Sequence, residues 1–267
     1  MKIIGKLLRG IGAVMAICLT AGVIVSRVEK KKGWTGEHEP AGLYEREIKR
    51  ALDFGLSLSA AVFLWPVMLV TGVAVRKKLG VPVLFTQKRP GLNEKIFLIK
   101  KFRTMTDQRN EDGELLADEI RLTKFGRWLR STSLDELPEL FNILNGDMSI
   151  VGPRPQLVRD MVFMSGEHRK RHEVRPGLTG LAQVHGRNGI PWTQKLDMDL
   201  EYCRKITFSG DLKIIFQTVL KVFEKEGITG EGQATALDYG DWLLLHNKVS
   251  REEYEERQRE AERLLAR

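Results

Sequence analysis

The sequence predicts an α+β protein, mostly helical, in which a proline-broken helix enters a membrane and returns, and a short β-hairpin and amphipathic interfacial helices surround a soluble domain. Three observations lead there. Ala51 to Val75 is almost uninterrupted apolar sequence with Pro66 near its centre. Basic residues flank it on both sides, Arg46, Lys49 and Arg50 before and Arg76, Lys77 and Lys78 after. Downstream, β-branched and aromatic segments give way to apolar residues at helical spacing.

As a helix the apolar run is about 37 Å long, enough to cross a hydrocarbon core of roughly 30 Å. Two features oppose a simple span. Pro66 has no N–H and its ring clashes with the carbonyl of Val62, which predicts a kink. The positive-inside bias asks both basic clusters to stay in the cytoplasm. A re-entrant helix over residues 44–80 satisfies both; a spanning helix kinked at Pro66 is the alternative on this segment alone. Asp53, one turn into the run, is expected to pair with Lys49 or Arg50 near the interface.

Upstream, residues 1–43 hold a second apolar stretch, Ile11 to Val25, after Lys2, Lys6 and Arg9. It has the outline of a signal peptide without a small-residue cleavage site, so retention is expected. It either spans, leaving Arg27, Lys30, Lys31 and Lys32 in the cytoplasm, or lies in the interface. Lys30 to Gly42, with Gly33, Gly36 and Pro40, reads as a polar linker.

At 267 residues the chain holds one sizeable domain plus appendages, and its net charge of +8 calls for an anionic partner: nucleic acid, anionic lipid or a phosphorylated substrate. Cys18 and Cys203 make neither a disulfide framework nor a metal cluster and suit a reducing compartment. The soluble domain, residues 81–239, opens with a hairpin in which residues 83–87 and 96–99 flank Pro90-Gly91-Leu92-Asn93. Asp107 to Asp118 reads as an acidic surface loop. Leu137, Leu140, Phe141 and Leu144 form one helical stripe, and Ile214, Ile215, Val219, Val222 and Phe223 another. Such a stripe faces a core or, in a membrane-bound chain, lies at headgroup level. Residues 240–267 are a charged tail. In it Ser250-Arg251-Glu252-Glu253 opens a helix whose apolar stripe is too thin for a core, which predicts solvation or a weak partner contact.

Ser133-Leu134-Asp135-Glu136-Leu137-Pro138 is the most informative soluble segment. Pro138 belongs in a first helical turn, so the helix is expected to start near Leu134 or Asp135. There the dipole and free N–H groups favour ionised Asp135, the form a nucleophile or a metal ligand needs. A plain capping role, with Ser133 and Glu136 completing a capping box, is the alternative. Arg127 and Arg130 lie just upstream, and Gly152-Pro153-Arg154-Pro155 follows the Asn145-Gly146-Asp147 turn. Pro153 and Pro155 restrict the backbone around Arg154, aiming a guanidinium fork suited to phosphate; an exposed structural turn is the alternative. From Arg175 to Gly189, turn glycines mix with Gln183, His185, Arg187 and Asn188 as a loop-rich ligand wall, in which His185 is a base or merely exposed.

From Tyr44 to about Tyr239 the chain resembles the bacterial sugar transferases that are monotopic phosphoglycosyl transferases, and is closest to their small members of the Campylobacter N-glycan-initiating type. The matching stretches are Lys49-Arg50-Ala51-Leu52-Asp53, Phe85-Thr86-Gln87-Lys88-Arg89-Pro90-Gly91, Lys101-Phe102-Arg103-Thr104-Met105, Ser133 to Pro138, and Asp147-Met148-Ser149-Ile150-Val151 running into Gly152 to Pro155. One departure is Trp65, where small members often carry Ser before the proline.

The resemblance implies a re-entrant helix broken at Pro66 and a catalytic domain on the cytoplasmic face of the bacterial inner membrane. It implies transfer of a sugar phosphate from a nucleotide sugar, UDP-linked, to polyprenyl phosphate such as undecaprenyl phosphate. It also implies a nucleophilic Asp135 beside Glu136, and a requirement for Mg²⁺. On charge grounds Mg²⁺ is expected on Asp135 or Glu136, with Arg154, Arg187 and Lys101 or Arg103 on phosphate oxygens. Arg130, Gln183 and Asn188 are expected to line the same substrate site. Membrane lipids are expected partners, nucleic acid is not, and a homodimer stays open. A membrane-tethered nucleic-acid binder and an inactive glycan-assembly scaffold are the competing readings.

Overall fold

The computed structural model describes residues 2–31, 38–186, 190–224 and 237–266. Helix α1 (Lys2–Lys31) is followed by a single π-helical turn (Tyr44–Ile48) that leads into the long helix α2 (Lys49–Leu79). Strands β1 (Leu84–Pro90) and β2 (Ile96–Phe102) form the expected hairpin, paired antiparallel from Leu84 opposite Phe102 to Pro90 opposite Ile96. It is longer than the sequence pattern suggests, because Phe97, Ile99 and Phe102 all bury into the domain. Short α3 (Asp118–Arg121) and α4 (Lys124–Ser131) precede a 3₁₀ turn (Leu134–Glu136) and α5 (Glu139–Asn145). Residues 107–118 form the expected surface loop, closed by a bridge between Arg109 and Leu115.

Strand β3 (Ser149–Val151) leads through short α6 (Val158–Met161) and α7 (Gly166–Arg169) to β4 (Gly177–Thr179), which pairs parallel to β3. Helices α8 (Leu181–Gly186), α9 (Trp192–Arg204) and α10 (Phe208–Glu224) follow, and α11 (Tyr239–Leu245) and α12 (Arg251–Ala266) complete the chain. The expected loop-rich wall is therefore partly regular structure. Strand β4 lies against Gly152 so closely that a Cβ on Gly177 would sit 2.1 Å from Gly152 N, which only glycine permits.

Helices α1 and α2 are long and apolar enough to cross a membrane, over Arg9–Lys30 and Tyr44–Leu79. They pack tightly, since a Cβ on Gly22 would meet the Ala51 carbonyl at 2.2 Å and one on Gly55 the Leu19 Cα at 2.9 Å. Backbone of α2 stays helical through Pro66. Both ends of α2 rest on the same folded body. Its start is held through Arg50 and Asp53, and nearer its middle Ala60 and Ala61 pack on the cluster of Phe97, Ile99, Leu140, Ile143 and Met148; at its end Val75 and Leu79 join Phe102 and Leu129. Between them Val62, Phe63, Trp65, Val67, Leu69 and Val70 are exposed, an apolar stretch around Pro66, where the helix continues rather than breaking as the sequence predicts.

Polar groups fix the start of α2 to the domain. Asp53, buried, accepts from Ser149 Oγ at 2.7 Å and from the Ile150 N–H at 3.0 Å, which docks α2 on β3. It does not take Lys49 or Arg50 as partner, contrary to the charge pattern. Lys49 instead pairs with Asp211 at 2.6 Å, and Arg50 donates to Glu29 of α1 at 2.8 and 2.9 Å and to the Ile143 carbonyl at 2.8 Å. An Asp at this depth prefers hydrogen-bond donors already fixed by a strand over long side chains that must be ordered.

Helix α10 buries Ile214 against Val151, Tyr202 and Ile206 and leaves Phe208, Leu212, Phe216, Val219 and Leu220 exposed. Of its predicted stripe, Val222 and Phe223 have side chains outside the described residues. The tail departs from expectation. Ala261 of α12 is fully buried against Val158, Met161 and Val162, Arg257 donates to the Val162 carbonyl at 2.7 Å, and Tyr239 and Leu243 of α11 pack on Trp192 and Leu196. A small residue on the thin stripe is enough here because α6 approaches closely.

Replacing Asp53 with Ala strands the Ile150 N–H and is expected to cost about 1–3 kcal/mol. Thermal unfolding of wild type and variant in the same detergent measures the loss, and an unchanged midpoint would contradict the docking role.

Candidate active site

Lys101 near the end of β2 brings a cation to the middle of the domain, and the segment after α4 brings acids to meet it. Gly126 lets α4 press against the hairpin's extension, since a Cβ there would meet the Thr104 carbonyl at 1.8 Å. That contact carries Arg130 to Thr104, whose Oγ1 accepts from Nε at 3.1 Å. Ser133 then takes a left-handed conformation, φ 54°, and turns the chain into the 3₁₀ turn that presents Asp135 and Glu136. The α-helix α5 starts at Glu139 with Pro138 as its N-cap residue, later than the expected Leu134 or Asp135, which lie in the 3₁₀ turn; Ser133 makes no side-chain cap, so the capping-box reading fails.

Three carboxylates, Asp135, Glu136 and Glu139, share this small volume. Lys101 Nζ lies 2.7 Å from Glu136 Oε1 and 3.0 Å from Glu139 Oε1; Arg154 Nη2 reaches Glu136 Oε1 at 3.3 Å. The Arg154 side chain is 43% exposed, so its remaining donors stay reachable from solvent. Asp135 is 7% exposed.

Electrostatics separates the three acids. Burial, then the charge of Glu136, pushes the Asp135 carboxyl up to about 6 against the pull of Lys101 and Arg130. The sequence expectation that a helix start would favour its ionised form is thus reversed in direction, because desolvation and a neighbouring charge outweigh a single turn's dipole. Burial alone would raise Glu136, but Lys101 and Arg154 outweigh it and hold that carboxyl down to about 2. Glu139 is pushed up to about 7, by burial first and by Glu136. Lys101 is driven up by Glu136 and Glu139 in spite of its burial.

Other predicted residues fall in different places. Arg103 is buried and directed at the end of α2, bonding the Leu79 and Val81 carbonyls and Asp107. A helix C-terminus leaves carbonyls unmatched, and Arg103 satisfies them rather than a phosphate. Gln183 donates to the Leu178 carbonyl at 3.1 Å. His185 is exposed, with Nδ1 2.9 Å from the Leu181 carbonyl of its own helix. Arg187 and Asn188 lie outside the described residues. Pro153 and Pro155 are buried where the sequence puts them, beside Arg154.

Residues that sequence reading missed support the turn. Arg89 donates to the Pro155 carbonyl at 3.2 Å, and Arg171 to the Arg154 carbonyl at 2.5 Å. Arg171 is held by Asp199 at 2.7 and 3.0 Å. Glu139 had a faint signal, its three-residue spacing from Glu136 on a helix start; Arg171 and Asp199, on separate elements, had none.

For Mg²⁺ the candidate donors are the carboxylates of Asp135 and Glu136, and no group of three metal-ligating side chains occurs among the described residues. Mg²⁺ is commonly held by one or two carboxylates together with substrate phosphates. Asp135, with Glu136 beside it, fits that pattern only when phosphate oxygens complete the shell.

The sign of the pH dependence follows from these shifts. Asp135 and Glu139, raised from ordinary values of 3.8 and 4.5, keep protons in the folded state that the unfolded chain has already released. Their contribution to stability is therefore present at low pH and declines as pH rises from about 4 through 7. Glu136 acts oppositely, and its contribution is complete above about 4.5. Glu139→Gln is expected to flatten the fall in stability between pH 5 and pH 8, roughly the window in which the raised Glu139 titrates. Denaturant unfolding at the two pH values measures it, and an unaltered slope would refute the assignment.

A family model for "Bacterial sugar transferase" matches residues 44–225. The chain is 48% identical over 193 residues to the uncharacterised sugar transferase EpsL of Bacillus subtilis, covering 71% of this chain and 94% of that protein. It is 42% identical over 185 residues to the UDP-glucose:undecaprenyl-phosphate glucose-1-phosphate transferase of Klebsiella pneumoniae, covering 66% of this chain but 40% of the relative. With the protein of the same description from Caulobacter vibrioides the identity is 39% over 183 residues, 64% of this chain and 68% of the relative. The chain thus spans nearly all of the Bacillus relative and less than half of the Klebsiella one. On the extent of these matches, the chain belongs to the bacterial sugar transferase family.

Proposed function

We propose that the protein transfers a sugar-1-phosphate from a UDP-sugar to a membrane polyprenyl phosphate, undecaprenyl phosphate or a close analogue, giving UMP and a polyprenyl diphosphate sugar. The observation that carries the reading is Asp135, a buried carboxylate under the pull of Lys101 and Arg130 and beside a partner acid that stays charged. Relatives named for UDP-glucose:undecaprenyl-phosphate glucose-1-phosphate transfer support the same reaction.

The donor diphosphate and both nucleophiles are anions, so positive charge must gather them. Arg154 offers its exposed donors to phosphate oxygens, and Lys101 keeps Glu136 and Glu139 from repelling the incoming group. Asp135, ionised above about pH 6, attacks the sugar-bearing phosphorus. The bond from that phosphorus to the UMP oxygen breaks, leaving an aspartyl-phosphate sugar. A polyprenyl phosphate oxygen then attacks the same phosphorus and the Asp135 carboxylate departs. Neither step requires a proton to be removed from the nucleophile, and one difficult transfer becomes two. Asp135 or Glu136 would hold Mg²⁺ together with substrate phosphates, and the ion would supply charge neutralisation on the leaving nucleotide.

In this reading α2 is a re-entrant helix that keeps both ends on the cytoplasmic face, and the protein sits in the bacterial cell membrane. Support comes from its two ends held on the domain with an exposed apolar stretch between them. The exposed apolar face of α10 would be an interfacial surface. An open groove of about 500 Å³ beside the end of α2, lined by Lys78, Lys124, Phe125 and Trp128, has the mixed basic and aromatic character of a headgroup layer. A nucleic-acid role is disfavoured because many basic side chains are already matched internally, as in the Lys49–Asp211, Arg50–Glu29 and Arg171–Asp199 pairs.

Asp135→Asn is expected to abolish UMP release from UDP-sugars while leaving folding and membrane association intact. Incubation of wild type with donor and no lipid acceptor is expected to leave a sugar-phosphate adduct on Asp135, read by mass spectrometry of the peptide. Turnover in the variant would remove the nucleophile, and no UMP release by wild type across a panel of UDP-sugars would favour the scaffold. Cysteines placed at residues 46 and 78 of oriented vesicles are expected to react with impermeant reagent from the same side; opposite sides would establish a span.

A further inference from the structure

The Gly152–Pro155 turn is held by three donors on three consecutive carbonyls. The Gly177 N–H of β4 donates to Pro153 at 2.9 Å, Arg171 to Arg154 at 2.5 Å, and Arg89 to Pro155 at 3.2 Å. Two of these donors are guanidiniums, and Arg171 is 1% exposed. Placing a charged group there against a neutral carbonyl is costly unless a counter-ion is supplied, and Asp199, 2% exposed, supplies it through two bonds to one oxygen. His172 Nε2 lies 3.2 Å from the same guanidinium.

A buried ion pair of this kind adds little net stability, because desolvation offsets the attraction; an apolar pair of similar volume would serve a core as well. What the pair does uniquely is fix a direction. Arg171 joins α9, through Asp199, to the peptide of Arg154. Flanking prolines then leave Arg154 little backbone freedom, so its guanidinium is delivered to Glu136 at the site's edge.

We infer that Arg171, anchored by Asp199, is a positioning residue for the proposed transfer, acting through the Arg154 peptide to hold the Arg154 guanidinium where the donor's phosphate oxygens bind. The inference rests on the phosphate-binding role proposed for Arg154.

A double-mutant cycle tests it. Arg171→Lys keeps the charge beside Asp199 but loses the planar fork that reaches both Asp199 and the Arg154 carbonyl. In detergent-solubilised full-length protein, Arg171→Lys is expected to weaken kcat/KM for UDP-glucose roughly tenfold, and Arg154→Ala more strongly. In the Arg154→Ala background, adding Arg171→Lys is expected to change nothing beyond about twofold, because the side chain it positions is gone. A merely structural role would lower the unfolding midpoint and multiply the two losses instead, and that outcome overturns the inference. The same cycle is read on the Kd for UDP by calorimetry, so it reports even without turnover. Coupled Kd values with no UMP release would keep the positioning role and discard the transfer reading; active enzyme with additive losses would do the reverse. Should Arg171→Lys not yield folded protein, Asp199→Glu, which keeps the charge and displaces the guanidinium, takes its place in the cycle under the same criteria.

Discussion

The governing constraint is the crowding of three carboxylates, Asp135, Glu136 and Glu139, into five residues of buried chain. Like charges this close cannot all remain ionised in a poorly solvated site unless cations stand among them. The architecture answers with cations from separate elements: Lys101 from the hairpin, Arg130 from α4 and Arg154 from the turn after β3. The result is unequal. Glu136, touched by two cations, is firmly charged, while Asp135 and Glu139 titrate near neutrality. In the proposed reaction, a carboxylate raised to about 6 would be a more basic nucleophile than an ordinary aspartate.

Each cation is placed by backbone rather than by chance of rotamer. The hairpin register sets Lys101 opposite Phe85; glycine at position 126 sets the approach of α4; two prolines and three carbonyl bonds set Arg154. Local chain chemistry and global packing thus agree about where charge goes, which is how a short, irregular segment can hold a defined site. The same logic explains why Arg103, in the next position but one after Lys101, takes no part. Its side chain emerges where α2 ends, and the unmatched carbonyls there claim it.

Much of this was legible in the sequence, for physical reasons that differ by residue. Pro138 close to a helix start and the paired prolines around Arg154 act locally, so their consequences can be read from neighbours in the chain, whereas Pro66, expected to break its helix, lies within a continuous α2. The hairpin was legible through β-branched residues and a turn, though its true length was decided by burial of Phe102. Asp53 was misread because its partners, Ser149 and Ile150, lie about a hundred residues away, and nothing in its surroundings announces a strand. Helix α12 was misread for a similar reason, its thin apolar stripe being sufficient only because one alanine meets α6. Arg171 and Asp199 were invisible, since a pair joined only by folding has no spacing signature.

The two docked ends of α2 have a consequence for how partners meet. Under the proposed re-entrant reading, a body held at both roots of α2 would have no swinging tether, so its height above and tilt against the bilayer would be set by that helix rather than by a linker. An acceptor confined to the bilayer would then search in two dimensions and arrive at a fixed elevation. Encounter would depend on lateral diffusion and acceptor density per unit area, while a soluble donor would still arrive from three dimensions.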